Sequence, residues 1–457
     1  MRFESLPRFL RGLLVAGAGL RNSLVRYGAE YRGFSELLAS SDGWSKARQE
    51  AFQRQELLQL LRAVQPGTPA LQSIAGILPH LSTFDDPYEI LRVLPFQEKD
   101  AMRKRPTDFI NVNTKAVMVS STSGSTGSPM KFGHDRYGLQ KRIAFMKDHY
   151  RMVGVRRRAK SIRLSGRIIS DPDKFAPRPW LYNPAENQVF LSTYHLNDDH
   201  APALRALVRS FVPDIIDGYP SAILDLLKII NRSDEKPSGL KGIITTAETL
   251  DTQRRAEIEK LSGSTVCDYY AASEGVHPIQ QCIFGTYHVR WQGGIFEVLS
   301  SNGTAPTGDG ELVCTSFLQR RTPLIRYRTG DLVEGFSVEG NNCMCGMRGP
   351  TVTAIVGRVE DTVATPDGRR IGMFPYRTLK MIEGIETSQV IQHSFTSFEV
   401  LAVVQNGVDP ESLSFKIKSS FERVLGYAIT LSLKPVPGIE KGSNGKVRAL
   451  ISMINSR

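Results

Sequence analysis

The chain has 457 residues, 41% of them hydrophobic and 23% charged, which makes it too long for one simple core and too apolar for a disordered tail; two or three globular domains are expected. Its formal charge of +12 at pH 7 favours anionic partners (nucleotides, coenzyme A, phosphorylated carriers or a membrane surface) without choosing among them. Five cysteines, an odd number in so large a chain, do not make a disulfide framework.

Near the N-terminus, Arg8 and Arg11 precede the short apolar run LLVAGAGL, a weak likeness to an export signal that Glu4 and Arg11 argue against. No stretch reaches the ~18 apolar residues of a membrane span, so a cytoplasmic protein is expected. Its first helix packs on its own domain or rests on a membrane surface as a peripheral contact. Residues 35–64 have helical periodicity, with Leu57, Leu58, Leu60 and Leu61 on one face. Residues 116–119 form a short β-prone run that ends in the loop SSTSGSTGSPMK. The run Arg156, Arg157, Arg158 and Lys160 could contact phosphates, but no stacking aromatics or recognition motif accompany it, so it reads as a solvated basic face and no nucleic-acid partner is expected.

Between residues 215 and 270, apolar runs alternate with amphipathic helices. Strands are predicted at 215–216, 242–246 and 265–270, and helices at 222–230 and 253–261, which implies a largely parallel sheet covered by helices. Beyond residue 275 the runs IFEVLS, GELVCTS, LIRYRTGDL and TAIVGRVEDTVAT predict a smaller, mainly antiparallel region. From about residue 357 a separate α/β unit follows, with helices near 376–382 and 410–424 and strands near 387–391, 399–405 and 429–434.

The small residues of the loop at 120–131 would let backbone N–H groups and hydroxyls close around phosphate oxygens, although its spacing is not that of GxxxxGK[ST] and a flexible linker has the same composition. In DYYAASEG, Tyr270 could stack on a purine while Glu274 holds Mg²⁺ against a triphosphate; a buried tyrosine pair beside a surface glutamate is the bland alternative. RYRTGD offers Asp331 to ribose hydroxyls, GRVED adds Arg358, and SNGKVR carries Lys446. Each of these alone is an ordinary turn or surface group.

Taken together and in order, TSGSTGSP, TAETL, YAASE, YRTGD, GRVED and NGKVR resemble the adenylate-forming superfamily, within it the phenylacetate-coenzyme A ligase branch and its capsule-biosynthesis (CapK-type) relatives. The resemblance implies an α/β fold: a large multi-subdomain N-terminal region, residues 1–356, with mostly parallel sheets plus a smaller β region, then a small mobile α+β lid, residues 357–457, hinged at Glu360. It also implies phosphate contacts from Ser123, Gly124, Ser125, Thr126 and Gly127, and nucleotide contacts from Ala247, Glu248, Tyr270 and Ser273. Glu274 would ligate Mg²⁺, Asp331 and Arg358 would bind ribose, and Lys446 would bridge the carboxylate and the α-phosphate. ATP, a small carboxylic acid and coenzyme A or another acyl acceptor would be the substrates. Transfer to an amine or hydroxyl in surface polysaccharide synthesis, or an inactive zinc-stabilised binding protein, are the alternatives. Three positions depart from the family pattern: Met130 where lysine is usual, Ala271 where glycine is usual and Glu360 where aspartate is usual.

Cys282, His288, Cys343 and Cys345 combine three thiols with one imidazole, the donor set of a closed structural Zn²⁺ site; buried unliganded cysteines are the alternative. CIFGTYH followed by CMCG also resembles a zinc pattern within the phenylacetate-ligase branch. Cys267 and Cys314, in apolar strands, are expected in the core.

Overall fold

The structure is a computed structural model, and it describes residues 8–121, 130–155, 158–170, 176–231, 237–300, 303–359, 362–367, 370–371, 374–379, 382–405, 407–440 and 448–454. Five parallel strands lie side by side in the order Gln188–Ser192, Ser161–Ser165, Ile215–Gly218, Gly242–Thr246 and Val266–Tyr270. Alternation along each strand explains their apolar sequences, because neighbouring residues must satisfy opposite faces. Ile216, Ile243 and Val266 enter a core beneath the helices Ala201–Phe211, Pro220–Asn231 and Thr252–Ser262. Their neighbours Ile215, Ile244 and Cys267 enter a second core with Tyr150, Val153 and Val155 at the end of the helix Arg136–Met152.

The antiparallel strands beyond residue 275 do not form a separate region. Tyr269 pairs with Gln280 and Tyr270 with Ile279, so both textures belong to one 14-stranded sheet. Residues 35–64 form not one helical stretch but parts of two helices, Ala29–Ser41 and Lys46–Val64. The strand expected at 116–119 is shifted to Met118–Ser121, and among the described residues it pairs with Lys131–His134 alone, outside the main sheet. Val117 and Val119 are exposed, so backbone pairing and not burial sets its limits.

The C-terminal unit has its own four-stranded sheet, in the order Thr430–Pro435, Ser397–Val404, Ile385–Gln392 and Leu450–Ser452. Phe374, Phe398 and Phe421 pack ring against ring between this sheet and the helices Phe374–Leu379 and Pro410–Leu425. Asp409 caps the longer helix through the backbone N–H groups of Glu411 and Ser412, and Gly426 ends it in a left-handed conformation, so the helix limits are written in local chemistry.

Burial holds His134 and His277 near pKa 3 and His149 near 4, His134 also being opposed by the Arg142 guanidinium. Each is neutral in the fold and takes up a proton on unfolding below pH ~6.5. Their contribution to stability is complete above that pH and is lost progressively as pH falls toward 4. The expected cost is up to about 1.4 kcal/mol per pH unit for each ring. Denaturant midpoints measured at pH ~7 and ~5 check this; equal midpoints would contradict it.

Candidate active site and metal centre

Tyr270 ends the last parallel strand, and its hydroxyl donates to Asp331 Oδ2 at 2.7 Å. Asp331 lies on the strand Tyr327–Ser337, directly opposite Arg358 on Ala354–Arg358, and Arg358 Nε stands 3.8 Å from the other carboxylate oxygen. Burial raises the pKa of Asp331, while Arg358 and Lys99 oppose the rise. Lys99, whose ammonium donates to Thr329 O at 2.7 Å, is a member of this cluster that no motif signalled.

The TAETL loop closes on the same place. Ala247 has φ +68°, and a Cβ on Gly357 would stand 3.2 Å from Thr249 Oγ1, so the loop touches the strand that carries Arg358. Glu248 accepts from the backbone N–H and hydroxyl of Ser221, at 3.1 and 3.0 Å, which satisfies free donors at the start of the helix Pro220–Asn231.

Glu274 is buried, with Ser273 Oγ donating to Oε2 at 3.2 Å, and it forms no ion pair among the described residues. A proton-by-proton accounting shows how its turn is held. Ser120 Oγ donates to Ser273 O at 2.7 Å, so at its 2.6 Å contact with His134 it must accept from Nε2–H. His134 Nδ1 is then the acceptor for Gln319 Nε2 at 2.7 Å and Arg142 Nη1 at 3.0 Å, as the neutral ring requires. The same Gln319 amide donates to Glu274 O at 2.7 Å. Gly275, at φ +105°, makes room for it, since a Cβ there would lie 2.0 Å from Gln319 Nε2.

Ser120 and His134 belong to the two strands that enter and leave the glycine-bearing loop, so both ends of that loop are pinned to the Glu274 turn. Ser123, Gly124, Ser125, Thr126 and Gly127 themselves lie outside the described residues, as do Glu360 and Lys446. Met130 is buried in the core with Phe132, whereas Lys131 points to solvent from the first position of the returning strand. Tyr327, buried in the field of Glu274 and Asp331, has a hydroxyl with no partner among the described residues. A polar atom so placed suits a site made to receive a polar ligand.

The four metal-type donors meet as the sequence predicts. Cys282 sits at the tip of the hairpin formed by Ile279–Gln281 and Tyr287–Val289, His288 lies on its second strand, and the segment 338–350 folds back to bring Cys343 and Cys345. All four donor atoms lie within 4.8 Å of one another; Cys282 Sγ to Cys343 Sγ is 3.6 Å and Cys345 Sγ to His288 Nε2 is 3.2 Å. Tetrahedral zinc calls for about 3.8 Å between sulfurs and about 3.5 Å between sulfur and nitrogen, so the residues fit the ion. With four protein ligands, bound Zn²⁺ would cross-link the chain and keep no open position for chemistry.

What the segment joins is clear from its other contacts. Arg348 N–H donates to Asp42 O at 2.7 Å, Lys46 pairs with Glu339, and Arg290 bridges Asp42 at 3.2 Å and Asp148 at 3.1 Å. The segment therefore ties the helices Ala29–Ser41 and Lys46–Val64 to the sheet that carries the hairpin. Cys267 and Cys314 are buried in the core as expected.

Comparison with known proteins agrees with this geometry. The C-terminal residues 363–453 match the family described as the CapK C-terminal domain. Protein CapK of Staphylococcus aureus is 27% identical over 364 residues, covering 79% of this chain and 80% of that one. Phenylacetate-coenzyme A ligase of Escherichia coli (strain K12) is 26% identical over 306 residues, covering 62% and 66% respectively. Among solved structures, 2-hydroxyisobutyryl-CoA ligase in the postadenylation state, in complex with R3-HIB-AMP, has the same fold, with TM-score 0.61 and 16% identity over 99% of this chain and 91% of that one. An anthranilate CoA ligase in complex with anthranoyl-AMP aligns at TM-score 0.52 and 16% identity, over 72% and 65%. The chain is thus a relative of protein CapK and of the phenylacetate-coenzyme A ligases, carries a CapK-type C-terminal domain, and has the fold of the adenylate-forming CoA ligases.

Proposed function

We propose that the protein activates a carboxylic acid with ATP and passes the acyl group to coenzyme A. A carboxylate oxygen attacks the α-phosphorus, the bond to pyrophosphate breaks, and acyl-AMP forms. The thiol of coenzyme A then attacks the acyl carbon, AMP leaves and the thiol proton is released. The observation that carries this reading is the meeting, at one end of the parallel strands, of Tyr270, Asp331, Arg358, the TAETL loop and the Glu274 turn, with both ends of the glycine-bearing loop attached to it. A ligand site at the carboxyl ends of parallel strands is what such sheets favour.

In this reading Asp331 receives the ribose hydroxyls, with Tyr270 and Arg358 fixing the direction of its oxygens. Ala247, Glu248 and Ser273 line the nucleotide, and Ser123, Gly124, Ser125, Thr126 and Gly127 contact its phosphates. Mg²⁺ held by Glu274 would neutralise charge on the triphosphate. A buried carboxylate with no ion pair among the described residues is a suitable ligand for such a cation.

The names of the relatives support coenzyme A as acceptor: the E. coli protein is a phenylacetate-coenzyme A ligase, and a structure of the 2-hydroxyisobutyryl enzyme holds 2-HIB-AMP and CoA. A second reading keeps adenylation but transfers the acyl group to an amine or hydroxyl. Acid-dependent exchange of pyrophosphate into ATP across a carboxylate library tests adenylation. Mass spectrometry of products, with coenzyme A and amine acceptors offered in parallel, separates the two readings. No exchange with any acid would defeat both.

Asp331→Ala is expected to raise KM for ATP by about 10–100-fold while the fold persists, because charge-assisted bonds to two hydroxyls are lost together. Tyr270→Phe, which leaves the carboxylate in place, should cost less. An unchanged KM for ATP in Asp331→Ala would remove Asp331 from the nucleotide site.

A further inference from the structure

The helix Arg8–Arg26 is turned the opposite way from an ordinary surface helix. Its inner side is held by polar contacts: Arg11 donates to Ser170 Oγ at 2.9 Å, Arg26 pairs with Glu186 at 3.4 Å, and Gln140 Nε2 donates to Val25 O at 2.7 Å. Gly19 allows the helix to close on the edge strand Trp180–Asn183, since a Cβ there would lie 2.2 Å from Asn183 Oδ1. The apolar side chains face outward. Phe9, Leu13, Leu20 and Leu24 fall within about 60° of one another around the helix axis, and Phe9 and Leu24 are 72% and 73% exposed. Leu10 and Leu14 widen the strip. Burial normally turns such a face to the core, so this one is built for a surface outside the chain.

Charge indicates which surface. RFLRGLLVAGAGLRNSLVR contains four arginines and no acid, and Arg21 is exposed on the outer side beside the leucines. Arg158, exposed on the neighbouring surface, lines with Leu20 a cavity of about 260 Å³, and Lys160 is exposed close by in sequence; Arg156 and Arg157 lie outside the described residues. The one acid in that cavity, Glu186, is already engaged by Arg26, Tyr27 and Lys147. A second copy docking symmetrically would set Arg21 and Arg158 against like charges, whereas an anionic bilayer satisfies leucines and arginines together. No helix among the described residues is long and apolar enough to cross a membrane.

We infer that the outer face of the helix Arg8–Arg26 docks the protein on an anionic lipid surface, lying in the plane of the headgroups with its leucines among the acyl chains. This surface is distinct from the nucleotide site and does not depend on the proposed reaction. Flotation of the full chain with vesicles of phosphatidylcholine alone, or with a large fraction of phosphatidylglycerol, tests it.

Binding is expected to the anionic vesicles and at least tenfold less to the neutral ones. The triple variant Leu13→Gln, Leu20→Gln, Leu24→Gln should lose at least tenfold in binding, and Arg21→Glu severalfold, both keeping the pyrophosphate exchange of the parent protein. Tryptophan introduced as Leu20→Trp should shift its emission to the blue on anionic vesicles and be quenched by brominated acyl chains. Wild-type protein that stays unbound, a triple variant that floats like wild type, or an emission spectrum indifferent to vesicles would each overturn the inference. A vesicle-indifferent dimer that the triple variant dissociates would overturn it too, by giving the face to a second copy.

Discussion

Lys446→Ala is expected to abolish acyl-AMP formation, lowering pyrophosphate exchange by about 10²–10³-fold or more, while transfer from supplied acyl-AMP stays within a few fold of wild type. The physical ground is that a carboxylate must attack an already anionic phosphate, and only positive charge placed where the new charge gathers makes the attack feasible. Lys446 is the cation that the NGKVR motif offers. It lies in the segment joining the strands Thr430–Pro435 and Leu450–Ser452, and just beyond it Arg448 O accepts from Gln389 Nε2 at 2.8 Å, which ties that end of the segment to the small sheet. A lysine on a separate C-terminal unit can serve one half-reaction and withdraw from the other. Equal loss in both half-reactions would contradict such a division. Loss through a raised KM for ATP alone would assign Lys446 to binding instead of the chemical step.

Cys343→Ser should lower both the zinc content of the purified protein and its melting temperature, the latter by about 5 °C or more. Cys343 Sγ lies 3.6 Å from Cys282 Sγ, and its segment also carries Glu339 and Arg348, which reach Lys46 and Asp42. Losing one of four zinc ligands would therefore loosen the helices Ala29–Ser41 and Lys46–Val64 from the sheet as well as the hairpin. Because the centre has no open position, any fall in activity should follow the loss of folded protein. Metal analysis and thermal unfolding read this directly. Unchanged zinc and an unchanged melting temperature would make the four residues an unliganded cluster, the alternative that the sequence left open.

The candidate nucleotide site was legible as an ordered set of short motifs, of which the structure joins Tyr270, Asp331 and Arg358 and sets Thr249 beside Gly357. Legibility ended where side chains from unrelated segments share hydrogen bonds. Ser120, His134, Gln319 and Arg142 hold the Glu274 turn, yet of these only Ser120 belongs to a stretch the sequence singled out, and Lys99 beside Asp331 belongs to none. Met130 shows the same limit: its composition suits a phosphate loop or a core, and only the direction of the strand Lys131–His134 turns it inward and Lys131 outward.

By itself the amino-acid order determined that strands and helices form at 242–246 and 410–425, since the apolar run GIITT and the Asp409 cap act within a few residues. It also named the four residues, Cys282, His288, Cys343 and Cys345, that the structure brings within reach of one another. Tertiary structure alone decided that the parallel and antiparallel strands make one sheet, through the pairing of Tyr269 with Gln280, and that the first helix points its leucines outward. Periodicity records that a face is apolar, but not what covers it. Backbone hydrogen bonds, which join strands irrespective of their side chains, decide which distant residues become neighbours.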